Sequence, residues 1–454
     1  MSEPPAAERA VSERVVPERA VAEPSVHERG VPERGLSERG LSERDLSERG
    51  VPERGVPERL VSVPSRPEAP THERPVAVPR LVYVVPHLSP AEHFAHVPAL
   101  LAELGAHLDV ALAVERGTPP AQLPGVRVVH RVAGRGRLAR MLSTALTIRR
   151  CARAGYDTYF LRYSPLFLIV LILTRPLYGH RTLLWRSGLP DVRPPGSRLR
   201  LRDRVGMAVN ALTVPFVHGF VTGPETMLPL MAARWNVPGH KMRLLYNDID
   251  TTRFTPLTPA ERTAARRRLG WSDDEFVLLF VHRLSYRKGA RLLAPLYDAV
   301  TATALRPVRL AVAGDGPDRS LIGGQAAVRE RMQVLGAVPN RDLPAVYAAA
   351  DCVVMPSYEE GFARVLLEAM ACAVPVVTTD AGGSVDVVGA DYPHIVAVGD
   401  LPAFVAAVHD VMSTSAQQRA ALGARMRERA RSRFSPERIA HMLAAIVKAE
   451  QEPA

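Results

Sequence analysis

The stretch that decides the fold is residues 356–370, which read PSYEEGFARVLLEAM. It follows the apolar run 352–355 and passes into a segment with helical spacing, so the pattern predicts a buried strand, a turn and a helix. Gly361 allows the backbone to approach a ligand closely. The amides of Gly361, Phe362 and Ala363 would lie at the N-terminus of the helix, where negative and hydroxylated groups are favoured.

Acidic side chains flank this turn. Glu360 and Glu368 are eight residues apart, about two helical turns, so both are predicted to face one side. Carboxylates in such positions suit hydrogen bonding to the vicinal hydroxyls of a sugar and a ribose. The alternative is a solvated acidic helix face, and Glu359 fits that alternative better than its neighbours do.

Strands and helices alternate in both halves of the chain, which indicates two parallel sheets covered by helices. In the second half the predicted strands are 275–280, 308–313, 332–335, 352–355 and 375–378, with helices that include 290–301, 343–349 and 364–372. In the first half the predicted helices are 93–104, 138–154 and 165–173, and the predicted strands are 80–86, 108–114, 126–131, 157–162, 181–185 and a last one at 214–222. The fold class is therefore α/β, with two Rossmann-like doubly wound domains, 79–250 and 256–434, that face each other across a cleft. A ligand would bind in this cleft, at the carboxyl ends of the strands.

Residues 1–75 repeat Glu-Arg at intervals of five, as in VPERG at 31–35. A period of five fits neither a helix nor a strand, and the apolar surface is too small to offset the ordering entropy. We therefore predict a disordered tail that acts as a spacer or a weak interaction arm. A solenoid of pentapeptides is the less favoured alternative.

Charge and composition narrow the class of protein. The 454-residue chain has a net charge of +11, and residues 1–75 carry 12 basic against 15 acidic side chains, so the positive excess belongs to the folded part. This excess favours anionic partners, but no nucleic-acid motif accompanies it and no nucleic-acid partner is expected. No secretory signal is visible at 1–10, and the apolar run 165–173 is far shorter than the roughly 20 residues of a membrane-spanning helix. The absence of a CxxC pair predicts buried thiols in a reducing cytoplasm for Cys151, Cys352 and Cys372.

Arginines crowd the segment just before an apolar stretch that begins at Val205, namely Arg193, Arg198, Arg200, Arg202 and Arg204. This pattern is typical of a helix that lies on an anionic membrane surface. It is equally typical of a solvated face beside a core helix, and both interpretations stay open.

Glu360 and Glu368 form the E-x7-E pattern of retaining GT-B glycosyltransferases, and the sequence resembles glycosyltransferase family 4, the glycosyl transferases group 1. The resemblance is specific across about 245–390, weak over 79–245 and absent from 1–75. Other segments that match the family pattern are VHRLSYRKG at 281–289, AVAGDGP at 311–317, VLG at 334–336, AGG at 381–383 followed by Asp386, and NDIDTTRF at 247–254.

The resemblance implies roles for individual residues. Arg283 and Lys288 would hold the donor diphosphate and stabilise the charge that grows on the leaving nucleotide. Since these charges can replace a divalent metal, neither a metal nor another cofactor is expected. Glu360 would contact the donor sugar or the reacting face, so the catalytic candidates are Glu360, Arg283 and Lys288. Glu368 would bind the ribose, and the remaining donor-site candidates are Gly314, Gly361, Phe362 and Ala363, with Leu335 and Val338 bordering the base.

The chain departs from the family pattern at several positions. His282, Asp248 and Ala373 stand where the family usually has glycine, and Asp386 stands where it has a glutamate of longer reach. Gly382 and Gly383 are expected to be structural turn residues.

The first domain departs further. Its turn at 86–90 lacks the usual glycines, and Arg186 or Ser187 occupies the place where many relatives carry a histidine. His87 and His93 are candidates for that role, although structural histidines are the favoured interpretation.

The resemblance implies a hexosyltransferase-type enzyme that moves a sugar from a nucleotide diphosphate sugar to a hydroxyl acceptor with retention of configuration. The acceptor would be lipid-linked or a growing glycan, and the protein cytoplasmic or peripheral on the inner face of the membrane through Arg193–Arg204. A C-terminal helix at 435–449, with Ser435 as N-cap and Pro436 at the first position, would pack back on the first domain. The alternatives are a GT-B epimerase or phosphorylase-like enzyme and a non-catalytic scaffold that binds nucleotide sugar.

Overall fold

The computed structural model describes residues 78–88, 96–162, 164–186 and 212–452. The predicted tail at 1–75, His93, Ser187 and the arginines from Arg193 to Arg204 lie outside these ranges. The described residues form two parallel sheets, each sandwiched between helices.

The first sheet has seven strands in the order β3-β2-β1-β4-β5-β6-β7. Every neighbouring pair is parallel, with Val82 opposite Ala111 at the centre of the β1–β2 register. The strands are β1 (Arg80–Val85), β2 (Asp109–Val114), β3 (Val128–Arg131), β4 (Thr158–Arg162), β5 (Arg181–Trp185), β6 (Gly219–Thr222) and β7 (Met242–Leu244).

Helices cover both faces of this sheet. The helix α1 (Val97–Leu104) packs on one face, and α2 (Arg137–Arg153), α3 (Pro165–Tyr178) and α4 (Met227–Trp235) pack on the other. Because side chains alternate along a strand, β1 sends Leu81 and Tyr83 into the first layer and Val82 and Val84 into the second. A single apolar strand therefore contributes to the hydrophobic core on both faces of the sheet.

The prediction that the strand ending at Thr222 is the last of this sheet is wrong. The short strand β7 follows it and pairs in parallel with β6, with Val221 opposite Arg243. Residues 214–216 form a 3₁₀ turn, so the strand itself begins only at Gly219. Three half-buried residues carry too little alternation to reveal β7 in the sequence.

The second sheet has six parallel strands in the order β10-β9-β8-β11-β12-β13. Its central strand β8 (Phe276–Val281) is buried along its whole length, as the continuous apolar run FVLLFV predicts for a strand covered on both faces. The other strands are β9 (Val308–Ala313), β10 (Met332–Gly336), β11 (Cys352–Met355), β12 (Val376–Thr379) and β13 (Ile395–Val396).

Helices cover this sheet in the same manner. The helix α5 (Pro259–Leu269) begins with a capping box in which Thr258 and Glu261 exchange hydrogen bonds. The remaining helices are α6 (Leu293–Thr303), α7 (Arg319–Ala327), α8 (Leu343–Ala349), α9 (Arg364–Ala371), α10 (Ser384–Val388), α11 (Leu401–Ser413) and α12 (Ala416–Phe434).

The last helix, α13 (Pro436–Gln451), belongs to the first sheet in space although it follows the second in sequence. The Ser435 hydroxyl accepts a hydrogen bond from the Arg438 amide and caps the helix. Ile439, Leu443 and Val447 are buried in the core beside α1. The chain thus crosses from the second half back to the first before it reaches residue 452.

None of the helices in the described ranges combines the length and the apolar character needed to cross a membrane.

Candidate functional site

A cavity of about 530 Å³ lies where the carboxyl ends of the two sheets meet. Residues from the loops after β8, β9, β10 and β11 line one wall, and residues from the first half of the chain line the other. Of the sequence-predicted residues, the lining contains Arg283, Lys288, Gly314, Val338, Glu360, Gly361, Phe362, Ala363 and Glu368. Nine predicted residues, spread over 86 positions of the sequence, thus line the same cavity.

The loop after β8 supplies the cationic side chains. The strand ends at Val281, and a 3₁₀ turn at Tyr286–Lys288 aims the lysine at the cavity. Gly289 closes the turn with φ +67°, and a side chain there would collide with the carbonyl oxygen of Pro356. Glycine is required at this position because it alone tolerates both the left-handed backbone and the close approach.

Glu360 is a buried carboxylate with three side-chain partners. Its Oε2 lies 2.9 Å from the Lys288 Nζ, and its Oε1 lies 3.2 Å from the His282 Nε2. The Ser357 hydroxyl donates a third hydrogen bond of 2.8 Å. Burial by itself would raise the pKa of Glu360, but the interactions with His282 and Lys288 outweigh it and lower the pKa to about 2. The side chain is therefore a fixed negative charge at neutral pH.

Glu359 differs from its predicted environment. The sequence favoured a solvated position for this residue, but its side chain is buried and forms an ion pair with Arg287. Burial raises its pKa, and Arg287 offsets only part of that rise. The prediction is wrong because the 285–289 loop folds over the turn, where the Arg287 carbonyl oxygen accepts the Tyr358 and Glu359 amides.

Glu368 lies on α9, whereas Glu360 does not. The helix begins at Arg364, as predicted, with Ala363 as its N-cap, so the eight residues from Glu360 to Glu368 are not two continuous helical turns. Both nevertheless line the cavity, because the turn before α9 bends Glu360 towards it.

The surroundings of Glu368 differ from those of Glu360. Tyr347 donates a hydrogen bond of 2.9 Å to Oε2, and the Arg364 Nε lies 4.0 Å from Oε1. Burial raises the pKa of Glu368, with Arg364 and Tyr347 opposing that rise only in part. The pKa values of the two carboxylates of the motif are thus shifted in opposite directions.

Arg283 differs from Lys288 in that its charge is not paired with a described residue. Its side chain is exposed, and it forms no hydrogen bond or ion pair with the residues that the structure describes. Lys288, in contrast, is bound both to the Glu360 carboxylate and to the Glu359 carbonyl oxygen, at 2.9 Å each. The Arg283 guanidinium is therefore available to bind an anionic ligand. The Lys288 ammonium would have to share its charge with Glu360, its present anionic partner.

The remaining predicted positions divide between cavity and core. Gly314 lines the cavity, and a side chain there would strike the His282 carbonyl oxygen. Val338 lines the cavity as well, but Leu335 packs against the core and is not among the lining residues. The turn glycines Gly382 and Gly383 contact the backbone of Glu360 and Gly361.

The opposite wall was not predicted from the sequence. Arg162, at the carboxyl end of β4, is buried there and donates a hydrogen bond of 2.7 Å to Asn247 Oδ1 and one of 2.9 Å to His96 Nε2. Its guanidinium also lies 4.4 Å from the ring centroid of Trp185. The sequence did contain one signal for Arg162. It is a charged residue at the carboxyl end of a buried strand, and ligands bind at that end of a parallel sheet.

Asp248, one of the departures from the family pattern, belongs to the same cluster. It is buried, its Oδ1 lies 4.0 Å from His96 Nε2, and its backbone oxygen accepts a 3.0 Å hydrogen bond from Arg364. Burial raises its pKa although Arg364 and Arg162 oppose that rise. Asp248 therefore lies behind the lining of the cavity, next to His96 and Arg364, while Arg162 is part of that lining.

Other contacts join the two halves directly behind the cavity. Asn247 Nδ2 donates to the Phe362 carbonyl oxygen at 3.3 Å, and the rings of Tyr246 and Phe362 stack with centroids 5.3 Å apart. The Asp386 carboxylate accepts the Glu225 amide at 2.9 Å. Asp386, at the position where the family has glutamate, thus bridges the halves.

The two candidates of the first half that the structure describes, His87 and Arg186, do not join this site. His87 is half-buried beside Gly117, and Arg186 lies over the Trp235 ring at 5.8 Å from its centroid. Neither lines the cavity. Among the described histidines of the first half, His96, which immediately precedes α1, lines the cavity.

Within the described ranges, no group of three or more His, Cys, Asp or Glu side chains is arranged to hold a metal ion. The chemistry that the arrangement offers is electrostatic. The Arg283 guanidinium and the Lys288 ammonium line the same cavity of about 530 Å³ as the buried carboxylates Glu360 and Glu368. The cavity therefore offers both cationic and anionic groups to a ligand.

Comparison with known proteins relates the second half of the chain to a glycosyltransferase family. Residues 261–433 match the family model described as "Glycosyl transferases group 1". The chain is 33% identical over 172 residues to an uncharacterized glycosyltransferase of Methanocaldococcus jannaschii, which covers 37% of this chain and 44% of the relative. It is 30% identical over 265 residues, or 56% of this chain and 66% of the relative, to a GDP-mannose-dependent monoacylated alpha-(1-6)-phosphatidylinositol monomannoside mannosyltransferase of Corynebacterium glutamicum. The matched region thus spans about half to just under two thirds of these relatives.

The fold has solved counterparts. Sucrose-phosphate synthase of Thermosynechococcus elongatus superposes with a TM-score of 0.67 at 22% identity, over 82% of this chain and 99% of that one. Such an identity establishes a shared fold and no more. With two Rossmann-like halves around one cleft and the family motifs on its second wall, the chain has the GT-B fold, and its residues 261–433 match the glycosyl transferases group 1 family.

Proposed function

We propose that the protein is a retaining hexosyltransferase that moves a sugar from a nucleotide diphosphate sugar to a hydroxyl acceptor. The observation that carries the proposal is Glu360, a buried carboxylate held by Lys288 and His282 beside the uncommitted guanidinium of Arg283. A donor of this class has a doubly charged diphosphate next to a polyhydroxyl ring. The cationic Arg283 and Lys288 suit the diphosphate, and the Glu360 carboxylate suits the hydroxyl groups.

In this proposal the donor lies along the second wall. Arg283 binds the diphosphate, and Lys288 shares its charge between the diphosphate and Glu360. Glu368 accepts hydrogen bonds from the ribose hydroxyls, and the amides that precede α9 approach the sugar or phosphate oxygens. Val338 borders the base.

The reaction breaks the bond between the anomeric carbon and a diphosphate oxygen and forms a bond from the acceptor oxygen to the same face of that carbon. The acceptor proton passes to the departing diphosphate oxygen, so no protein nucleophile is needed. Arg283 and Lys288 stabilise the charge that builds on the diphosphate, in the role that a divalent metal would otherwise fill. Closure of the cleft excludes water that would hydrolyse the donor.

The test is nucleotide diphosphate release by the purified full chain from UDP-, GDP- and ADP-sugars, together with calorimetric binding of each donor. The name of the C. glutamicum relative makes GDP-mannose the first donor to try. Arg283→Ala, Lys288→Ala and Glu360→Ala are expected to abolish release. The matched exposed variants Arg341→Ala, Lys448→Ala and Glu428→Ala are expected to retain it.

Three outcomes separate the parts of the proposal. Binding of a donor without release, even with candidate acceptors, favours the non-catalytic scaffold. Loss of turnover in EDTA that Mg²⁺ restores contradicts the replacement of the metal by Arg283 and Lys288. The anomeric configuration of the product, read by NMR, decides between retention and inversion.

A further inference from the structure

Helices α2 and α3 each expose a row of large apolar side chains to solvent. On α2 the row is Leu138, Leu142 and Leu146, and on α3 it is Ile169, Leu173 and Leu177, with exposed fractions between 42% and 78%. A spacing of four residues places each row on one side of its helix. Scattered exposed leucines are common on soluble proteins, but two aligned rows are not.

The two rows face the same way. The helices pack against each other, and both bury their opposite sides in one core, α2 through Ile148 and Cys151 and α3 through Phe167 and Leu171. Their exposed sides therefore form one outer surface of the layer that covers the first sheet. We call this surface, defined by the six residues of the two rows, the leucine face.

The charged side chains of α2 and α3 are all basic. Neither α2 nor α3 contains an aspartate or a glutamate, and the two helices together carry Arg137, Arg140, Arg149, Arg150, Arg153 and Arg175. Arg137, Arg149 and Arg153 are exposed and have no ion-pair partner among the residues that the structure describes. The apolar surface is thus accompanied by uncompensated positive charge.

Charge complementarity selects the occupant of this surface. A second copy of the same face would bring arginines against arginines, which disfavours self-association. Anionic lipid provides both an apolar phase for the leucines and negative headgroups for the arginines. We propose that the leucine face docks the protein on an anionic lipid surface, with α2 and α3 lying along the membrane.

This inference does not depend on the proposed transferase activity. No residue of α2 or α3 lines the cavity, so lipid binding and donor binding can be measured separately. The surface also differs from the segment around Arg193, which lies outside the described residues.

The experiment is co-sedimentation of the full chain with vesicles of phosphatidylcholine alone and with vesicles in which about one lipid in three is phosphatidylglycerol. We expect binding to the anionic vesicles that weakens as salt is added. Leu142→Ser with Leu173→Ser, and separately Arg149→Gln with Arg153→Gln, are expected to weaken this binding about tenfold or more.

Matched controls carry the same substitutions elsewhere. Leu305→Ser with Val328→Ser, and Arg267→Gln with Arg268→Gln, alter exposed residues of the second half and are expected to leave vesicle binding unchanged. Circular-dichroism melting of every variant verifies that the fold is retained.

Several results would overturn the proposal. The wild-type chain could fail to bind anionic vesicles, or bind both kinds equally. The two test variants could bind as well as the wild type, which would assign the binding to another segment. Light scattering could reveal a dimer that Leu142→Ser with Leu173→Ser dissolves, which would make a second copy the occupant.

Discussion

The Nε2 atom of His282 lies 3.2 Å from Oε1 of Glu360, while its Nδ1 accepts the Arg283 amide at 2.8 Å. The second contact leaves the proton on Nε2 of the neutral ring, so the histidine donates to the carboxylate. The residue that replaces a usual glycine is therefore a positioning residue for Glu360. In the sequence it stood out only as a departure from the family pattern.

We expect His282→Ala to lower the kcat of nucleotide release about tenfold, because Glu360 loses one of the three donors that fix it. His282→Gln should retain most of the turnover, since its side-chain amide can donate to the same oxygen. KM for the donor should change less than kcat in both variants. Steady-state kinetics of the wild type and the two variants gives the kcat and KM values that test these expectations. Equal losses in both variants would assign His282 a packing role instead.

Glu360 should make the stability of the protein depend on pH in a defined window. Its pKa of about 2 lies below the ordinary 4.5, so its stabilising contribution is complete above about pH 4.5 and is lost as the pH falls towards 2. The shift corresponds to a free energy of the order of 3 kcal/mol.

Urea unfolding of the wild type and of Glu360→Gln tests this expectation. The difference in their free energy of unfolding should be about constant from pH 7 to pH 5 and should shrink below pH 4. Glu428→Gln, which changes an exposed residue of α12, should show no such difference. A gap between wild type and Glu360→Gln that persists at pH 2.5 would contradict the assigned ion pairs.

The sequence predicted the second wall of the cleft better than the first for a physical reason. The motif residues of the second wall lie in loops that directly follow long apolar strands such as β8 and β9, so their place at the carboxyl edge follows from strand recognition alone. His96, Arg162 and Asn247 come from three separate segments of the first half, and only the strand order brings them together.

The burial of Glu359 was missed for a similar reason. Local spacing placed the start of α9 correctly at Arg364, but it carries no information on which distant residues cover the turn before the helix. The burial of Glu359 depends on Arg287, which is 72 positions away in the sequence. Pairing over such a distance is a tertiary effect that local patterns do not encode.

Ala373 offers a stability prediction that is separate from the site. It has φ +57° and, with Asn236, is one of two non-glycine residues with positive φ among those described. A side chain in this left-handed region destabilises the folded state by about 1–2 kcal/mol. Glycine avoids this strain, but it loses more conformational entropy on folding than alanine does, which offsets about half of the gain. Ala373→Gly should therefore stabilise the fold by about 0.5–1 kcal/mol, as measured by thermal or urea unfolding.

The control for this change is Ala421→Gly, an exposed position inside α12. There the same substitution should destabilise by about 1 kcal/mol, because glycine is a poor helix former. Destabilisation by both variants to the same extent would mean that the Ala373 methyl group has packing contacts worth more than the backbone strain.

Glu368 should separate stability from ligand binding. Because burial raises its pKa above the ordinary value, the folded protein binds a proton there more tightly than the unfolded chain does. Keeping the carboxylate ionised at neutral pH therefore costs stability, and that cost grows as the pH rises through the folded pKa. Glu368→Gln removes the charge while its amide oxygen can still accept the Tyr347 hydroxyl.

We expect Glu368→Gln to be at least as stable as the wild type at pH 7, in contrast to Glu360→Gln. Its donor affinity should nevertheless fall tenfold or more, because an amide accepts the ribose hydroxyls less strongly than a carboxylate does. Urea unfolding and calorimetric titration with the cognate donor measure the two effects on the same sample. A variant that is both less stable and unimpaired in binding would mean that Glu368 serves the fold rather than the ligand.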